Sequence, residues 1–302
     1  MRLSPWALSL ALVAGALAAR SAPAGSIQFL KPFGSSLGIA YDVDGINVVG
    51  QDVAQRGFLY DGSTYKVIQP PGVGTSAATG VSGATVVGWY FTDTVYGFVY
   101  DGSSYTTLSH PLGVSTYAYG ISGNNIVGQY IDASKVGHGF LFDGTSYTTI
   151  DYPLAKRTIA YGVSGDNIVG KYSDSKGVSH GFLFDGATYT TLDDPLFMGA
   201  GSTIAYGIDG DNIVGYTSAN AGQLIASFIH DGSTYTHPFD VEAEFMGGHH
   251  FRGISGNRIV GEYNDQPFIY TIPEPASLAL AIFAALALPL VRWRSQSRGS
   301  PA

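Results

Sequence analysis

Six near-copies of one segment run through the middle of this 302-residue chain. The first signature reads GVSGATVVGWY, GISGNNIVGQY, GVSGDNIVGKY, GIDGDNIVGYT and GISGNRIVGEY, and an early copy, DVDGINVVGQD, aligns without a gap. Its closing glycine falls at Gly50, Gly88, Gly128, Gly170, Gly215 and Gly261, so the spacing grows from 38 to 46 residues. A second signature follows each copy: GFLYDGSTY, GFVYDGSSY, GFLFDGTSY, GFLFDGATY and SFIHDGSTY, with a shortened sixth in QPFIYT. Such a chain folds as a repeat architecture, because no unit can bury its apolar face alone.

Each unit reads as four short strands, seen around Tyr161 as IAYGVS, NIVGKY, HGFLF and YTTL. Between the first two, the glycine at positions 45, 83, 123, 165, 210 and 256 is constant while the next residue varies freely. A type II′ hairpin makes that demand, since only its first central residue needs positive φ. Between the last two, Asp-Gly opens a four-residue loop, as at Asp143-Gly144. Four antiparallel strands in about 40–45 residues make a propeller blade. SIQFLKPFG aligns with YTTLSHPLG and is a fourth strand without its three predecessors, whereas QPFIYT is a third strand without its fourth. A closed ring would use one to complete the other, whereas an open solenoid would want polar caps. The expected fold is all-β: a six-bladed propeller of four-stranded repeats over residues 26–272, closed by the N-terminal strand. It is preferred to a β-solenoid or a stacked β-sandwich.

Both ends of the chain read as address labels. Residues 1–24 carry Arg2, an apolar stretch over 6–19 and the small-x-small triplet Ala22-Pro23-Ala24, the pattern of a secretory signal peptide. Residues 276–291 are apolar and uncharged. At ~1.5 Å per residue they span about 24 Å, short of a ~30 Å hydrocarbon core but insertable with local thinning. Arg292, Trp293 and Arg294 would anchor them on the cytoplasmic side. A buried C-terminal helix is the alternative.

Residues 26–272 keep 10 basic residues against 22 acidic ones, a net charge of −12. That surface repels nucleic acid and anionic lipid, so no nucleic-acid partner is expected. Cysteine is absent, so an exported form would rest on its core and backbone pairing alone.

Pro273-Glu274-Pro275, then Ala276-Ser277, an apolar run and an arginine cluster resemble the PEP-CTERM sorting signal of Gram-negative bacteria. The resemblance covers about 30 residues (273–302) and implies recognition by an exosortase in the inner membrane, then release or transfer to the cell surface or exopolysaccharide matrix. The polar extension SQSRGSPA beyond the arginines departs from that pattern. The repeats resemble bacterial extracellular repeats of the HAF type, with His138 and His180 in HGFLF matching the family histidine and glycine replacing its alanine.

Constant turns on one face of the ring and diverse loops on the other suggest a scaffold face and a ligand face. Candidate ligand-face residues are Asp151, Lys156, Arg157, Asp193, Glu242, His249 and His250. His249 and His250 with Glu242 and Glu244 lack recognised metal-ligand spacing, so a solvated loop is preferred there. YDVDG and GIDGDN echo calcium loops, yet the twelve-residue pattern with its closing Glu is missing. Asp44 and Asp209 stand where other units have Ser, which turn chemistry explains. His138 and His180 recur at one repeat position, which points to packing or hydrogen bonding. Asp151 with Asp193 is a candidate carboxylate dyad. No cofactor is expected, and no G-x-S-x-G, His-Glu-x-x-His or Walker loop occurs. The expected function is a non-catalytic surface or matrix protein binding exopolysaccharide or another surface protein. A purely structural matrix filler and a glycan hydrolase or lyase are the alternatives.

Overall fold

A computed structural model describes residues 25–197, 201–219, 224–239, 242–243 and 248–273. The signal-peptide segment, Glu274, Pro275, the apolar run 276–291 and Arg292, Trp293 and Arg294 lie outside the described residues. Among the described residues no helix is long and apolar enough to cross a membrane.

Residues 27–271 form one compact unit, a six-bladed β-propeller. β1 (Ser26–Phe29) precedes the first blade, which is β2 (Gly38–Asp44), β3 (Asn47–Asp52), β4 (Gly57–Tyr60) and β5 (Tyr65–Ile68). The second blade is β6 (Thr75–Ser82), β7 (Thr85–Phe91), β8 (Val95–Tyr100) and β9 (Tyr105–Leu108). The third is β10 (Ser115–Ser122), β11 (Asn125–Ile131), β12 (Gly137–Phe142) and β13 (Tyr147–Ile150). The fourth is β14 (Arg157–Ser164), β15 (Asn167–Ser173), β16 (Ser179–Phe184) and β17 (Tyr189–Leu192). The fifth is β18 (Gly201–Asp209), β19 (Asn212–Ala219), β20 (Leu224–His230) and β21 (Tyr235–Thr236), with β22 (Glu242–Ala243) added against β20. The sixth supplies only β23 (His249–Ser255), β24 (Arg258–Tyr263) and β25 (Gln266–Thr271).

β1 completes it, in the sheet order β1-β25-β24-β23. The Leu30 amide donates to Pro267 O at 2.8 Å, and the Gly38 amide to Asp265 O at 2.8 Å. Leu30 is buried in a cluster with Val260 and Ile269 of the sixth blade and Ala40, Val48 and Phe58 of the first. The ring is therefore closed by backbone pairing and by apolar burial together.

The core sits between blades rather than within them. Val49 and Ile68 of the first blade pack with Ala78, Val81, Val86 and Phe98 of the second, and the pattern repeats around the ring. The two signatures meet inside it. Gly50, Gly88, Gly128, Gly170, Gly215 and Gly261 stand directly opposite Phe58, Phe98, Phe140, Phe182, Phe228 and Phe268 on the next strand. All six rings are fully buried. A Cβ on Gly128 would lie 2.8 Å from the Phe140 ring and 2.0 Å from Tyr117 O. The glycine is the space that its phenylalanine fills.

The turn after each innermost strand has the expected form. Its glycines have φ of +57° to +59°, while the residue that follows is not left-handed. The last side chain of each innermost strand then reaches the next blade. The Gly83 amide donates to Asp44 Oδ2 at 2.6 Å and the Gly256 amide to Asp209 Oδ2 at 2.7 Å. Ser82, Ser122, Ser164 and Ser255 accept from Gly123, Gly165, Gly210 and Gly45 in the same way. Asp44 and Asp209 therefore act as clasps between blades, beyond the local turn role read from their spacing. In the Asp-Gly loop, Asp143 Oδ1 accepts the amides of Thr145 and Ser146 at 2.8 Å each.

The contrast between the two glycine classes is measurable. Gly128→Ala should cost about 2–3 kcal/mol through overpacking. Gly123→Ala, with nothing within 4 Å of its Cβ but φ of +59°, should cost only about 1 kcal/mol. Urea unfolding of both variants checks the order, and equal losses would overturn the packing argument.

Candidate functional site

Every innermost strand carries a bulge at one repeat position. The register slips between Ala40 and Asp42, Ala78 and Gly80, Ala118 and Gly120, Ala160 and Gly162, Ala205 and Gly207, and Phe251 and Gly253. The skipped residues are Tyr41, Thr79, Tyr119, Tyr161, Tyr206 and Arg252. A bulge re-aims the side chain of its extra residue. These six line the axial channel together.

Five of them form a continuous belt. The Tyr119 and Tyr161 ring centroids are 5.2 Å apart, and those of Tyr161 and Tyr206 are 4.5 Å apart. The Arg252 guanidinium lies 4.9 Å from the Tyr206 centroid and 5.4 Å from that of Tyr41. Burial pushes the Tyr41, Tyr119 and Tyr161 phenols up, so they remain protonated donors at neutral pH. The sixth place belongs to Thr79, whose hydroxyl turns away to donate to Ala118 O at 2.7 Å.

On the variable-loop side of the belt is a cup of about 260 Å³, walled by the belt residues with Trp89 and Tyr117. Trp89 and Tyr117 meet edge to face at 5.9 Å. On the turn side is a smaller, polar funnel of about 140 Å³ that Asp42, Asp44, Ser82, Ser122 and Asp209 border. The belt is the partition between them.

Arg252 is held by Glu262, Nε to Oε2 and Nη2 to Oε1, each at 2.5 Å. Both side chains are largely buried, and His250 Nδ1 lies 3.2 Å from Glu262 Oε1. Burial opposes the Glu262 charge, but the Arg252 guanidinium holds its carboxyl below the usual range. Removing one partner strands the other. Glu262→Gln alone should destabilise by about 3 kcal/mol. Arg252→Tyr with Glu262→Gln recreates the Tyr119 and Gln129 pair of the third blade and should recover most of that loss. Thermal unfolding of the single and double variants is the check, and a double variant no better than the single one would refute it.

Asp42 replaces the small residue that other blades place after the bulge. Its Oδ2 accepts the Val81 amide at 3.0 Å across the blade boundary. Burial raises its carboxyl to about 7 despite that hydrogen bond, and the nearby Asp44 charge adds to the rise. A folded value above the unfolded one means that the folded state binds the extra proton. The stabilisation is full below about pH 4 and is lost as pH rises through about 7. Wild type should therefore lose stability relative to Asp42→Asn between pH 5 and pH 8. Parallel urea midpoints across that range would contradict this.

Of the residues singled out in the sequence, Arg157, His249 and His250 lie on innermost strands, Glu242 in β22, and Asp151, Lys156 and Asp193 in the variable connections. His138 Nδ1 lies 2.6 Å from Asp151 Oδ2, and its Nε2 lies 3.7 Å from Asp132 Oδ2. His180 repeats this with Asp193 at 2.9 Å and Asp174 at 3.9 Å. Each aspartate of the supposed dyad is thus taken up by the histidine of its own blade. The recurring histidines do hydrogen-bond and pack: Tyr130 stacks between His110 and His138, at 3.7 and 5.0 Å. Arg157 Nη2 donates to Gln129 Oε1 at 3.0 Å, while Lys156 is exposed. His249 is sandwiched between Phe239 at 4.0 Å and Tyr263 at 4.2 Å. Glu242 is described only as backbone in β22, and Glu244 lies outside the described residues. Among the described residues no group of three His, Asp or Glu side chains could hold a metal.

The belt was missed in the sequence. Its signal was present as one repeat position reading Tyr, Thr, Tyr, Tyr, Tyr, Arg, set between Ala and Gly in four of the six copies. A strand period of two assigns that position no special direction, and only the bulge turns it inward.

No protein-family model matches the chain, and no curated protein does. Solved structures share its fold at low identity. A TolB structure from Agrobacterium tumefaciens is 12% identical with a TM-score of 0.56, covering 79% of this chain and 90% of that one. The six-bladed fungal lectin of Aleuria aurantia is 14% identical at 0.44, covering 80% and 92%. YCF48 from Cyanidioschyzon merolae is 10% identical at 0.44, covering 83% and 99%. The first of these likenesses shows the fold alone, and the other two carry no argument.

Proposed function

We propose that this chain is a non-catalytic binding propeller, exported through its signal peptide and sorted by its PEP-CTERM tail to the surface or matrix of a Gram-negative bacterium. There it binds extracellular polysaccharide. The aromatic-walled cup in the axial channel supports this reading most directly. Tyr and Trp present apolar faces together with polar tips, which suits ligands that are themselves carbon rings edged with hydroxyls. Pro273, Glu274 and Pro275 would mark the exosortase site, with residues 276–291 held in the inner membrane until cleavage. The net charge of −12 over residues 26–272 favours neutral glycans over polyanions.

A hydrolase or lyase is the second reading, and Asp42 is the observation that favours it. A carboxyl titrating near 7 beside other acids is what general acid–base chemistry uses. Against it, Asp42, Asp44 and Asp209 each accept an amide of the next blade, and Glu262 is occupied by Arg252. These bonds tie the channel carboxylates to holding the ring together.

Incubation of the purified chain with exopolysaccharide from a producing bacterium separates the readings. Retention of polymer without release of reducing ends is expected, whereas release of reducing ends that Asp42→Asn abolishes would establish the enzyme instead. In the producing cell, replacing Pro273, Glu274 and Pro275 with alanine should leave the chain membrane-bound at its uncleaved mass. Unchanged surface display would overturn the sorting assignment.

A further inference from the structure

The belt of bulge residues has one gap, and the gap has a shape. Four blades place tyrosine at the bulge and the sixth places arginine, so five side chains close the channel from Tyr119 around to Tyr41. The second blade places Thr79, the smallest of the six, and its hydroxyl faces the blade interface instead of the channel. The space that a tyrosine would occupy is left open between Tyr41 and Tyr119. Trp89 and Tyr117, from the second and third blades, wall the cup beside that gap. The volume of about 260 Å³ is thus set by one residue choice in one repeat.

We propose that this cup is a binding site for a single neutral pyranose, the terminal ring of a glycan chain, with Thr79 as the residue that opens it. The size fits one ring and no more, being below the ~300–1,000 Å³ of pockets that enclose drug-sized ligands. Tyr41, Tyr119, Tyr161, Tyr206 and Arg252 line it together, and a cup of this size takes the end of a chain. Trp89, Tyr117 and Tyr119 supply aromatic faces and edges for the C–H groups of the ring. The phenols of Tyr41, Tyr119 and Tyr161 supply hydroxyl donors. Arg252 uses Nε and Nη2 on Glu262, which leaves Nη1 to donate to a sugar hydroxyl. That same pairing cancels the guanidinium charge, so an acidic sugar would have to compete with Glu262 for it. A neutral ring meets no such competition.

This inference rests on the polysaccharide-binding reading above and deepens it. Trp89 makes it directly observable, since the chain has three tryptophans and the others, Trp6 and Trp293, lie outside residues 26–272. In a full-length chain carrying Trp6→Phe and Trp293→Phe, Trp89 is the sole tryptophan, and its emission is read under excitation selective for tryptophan over the 20 tyrosines. Titration with the methyl glycosides of glucose, galactose, mannose and rhamnose should change its fluorescence saturably for at least one sugar, at concentrations on the order of millimolar. Glucuronate should have no effect at the same concentrations. Thr79→Tyr, which installs the residue four other blades already carry, should keep the thermal midpoint near that of wild type and weaken binding at least about tenfold. Tyr117→Ala should weaken it similarly, and it stands as the test if the first variant does not fold. No response to any neutral glycoside, a response to glucuronate alone, or undiminished binding by folded Thr79→Tyr and Tyr117→Ala would each overturn the assignment. Polymer retention that survives Thr79→Tyr would remove the cup while leaving the polymer-binding reading intact. Loss of polymer and glycoside binding together in wild type would remove both.

Discussion

The pairing of β1 with β25 is the contact on which the rest of the molecule depends. A propeller blade has two edges, and its neighbours cover its faces rather than those edges. A ring that starts and stops between blades would leave a complete apolar interface to be held by side chains alone. Here the break falls inside a blade, so the last sheet gains its fourth strand only from the first segment of the chain. Leu30 then packs into the interface between the sixth and first blades, which couples backbone pairing to burial. With no cysteine in the chain, this register does the work that a disulfide does in many exported proteins.

Closure also explains why the axis can be so tightly built. At Gly120, Gly162 and Gly207, a Cβ would lie 2.5–2.6 Å from the carbonyl oxygen of the next blade's bulge residue. Backbones at that separation leave no room for a side chain at these glycines, so in these blades the bulge residue is what points to the centre, whereas the first blade fits Asp42 at the corresponding place. Six blades then deliver six side chains to one plane. Five of them touch in series, and the belt divides the channel into a polar funnel and an aromatic cup. The clasps from Asp44, Asp209 and the four serines hold the turn face below it.

The two faces therefore differ for a physical reason. On the turn face every side chain that ends an innermost strand has a hydrogen-bonding duty to its neighbour, and the sequence there is nearly uniform. On the loop face the connections vary, and the polar residues that stand out, such as His138 with Asp151 and His180 with Asp193, tie loops to their own blade. The chemically open part of that face is the centre, where the belt ends and the cup begins.

Repeat number, strand order within a blade, the type II′ turns and the completion of the last blade by the first strand were all legible in the sequence. Each follows from local rules or from counting: positive φ demands glycine, four strands make a blade, and an unpaired edge must find a partner. The roles of Asp44 and Asp209 were only half legible, because the amides that donate to them belong to the next blade, some 39 and 47 residues away. The belt was legible only as a repeat position rich in tyrosine, not as a site. Alternation along a strand cannot show which residue a bulge turns inward, and no single repeat contains the plane in which six such residues meet. Local chemistry in the chain determined the blades; the closure of the ring decided what stands at its centre.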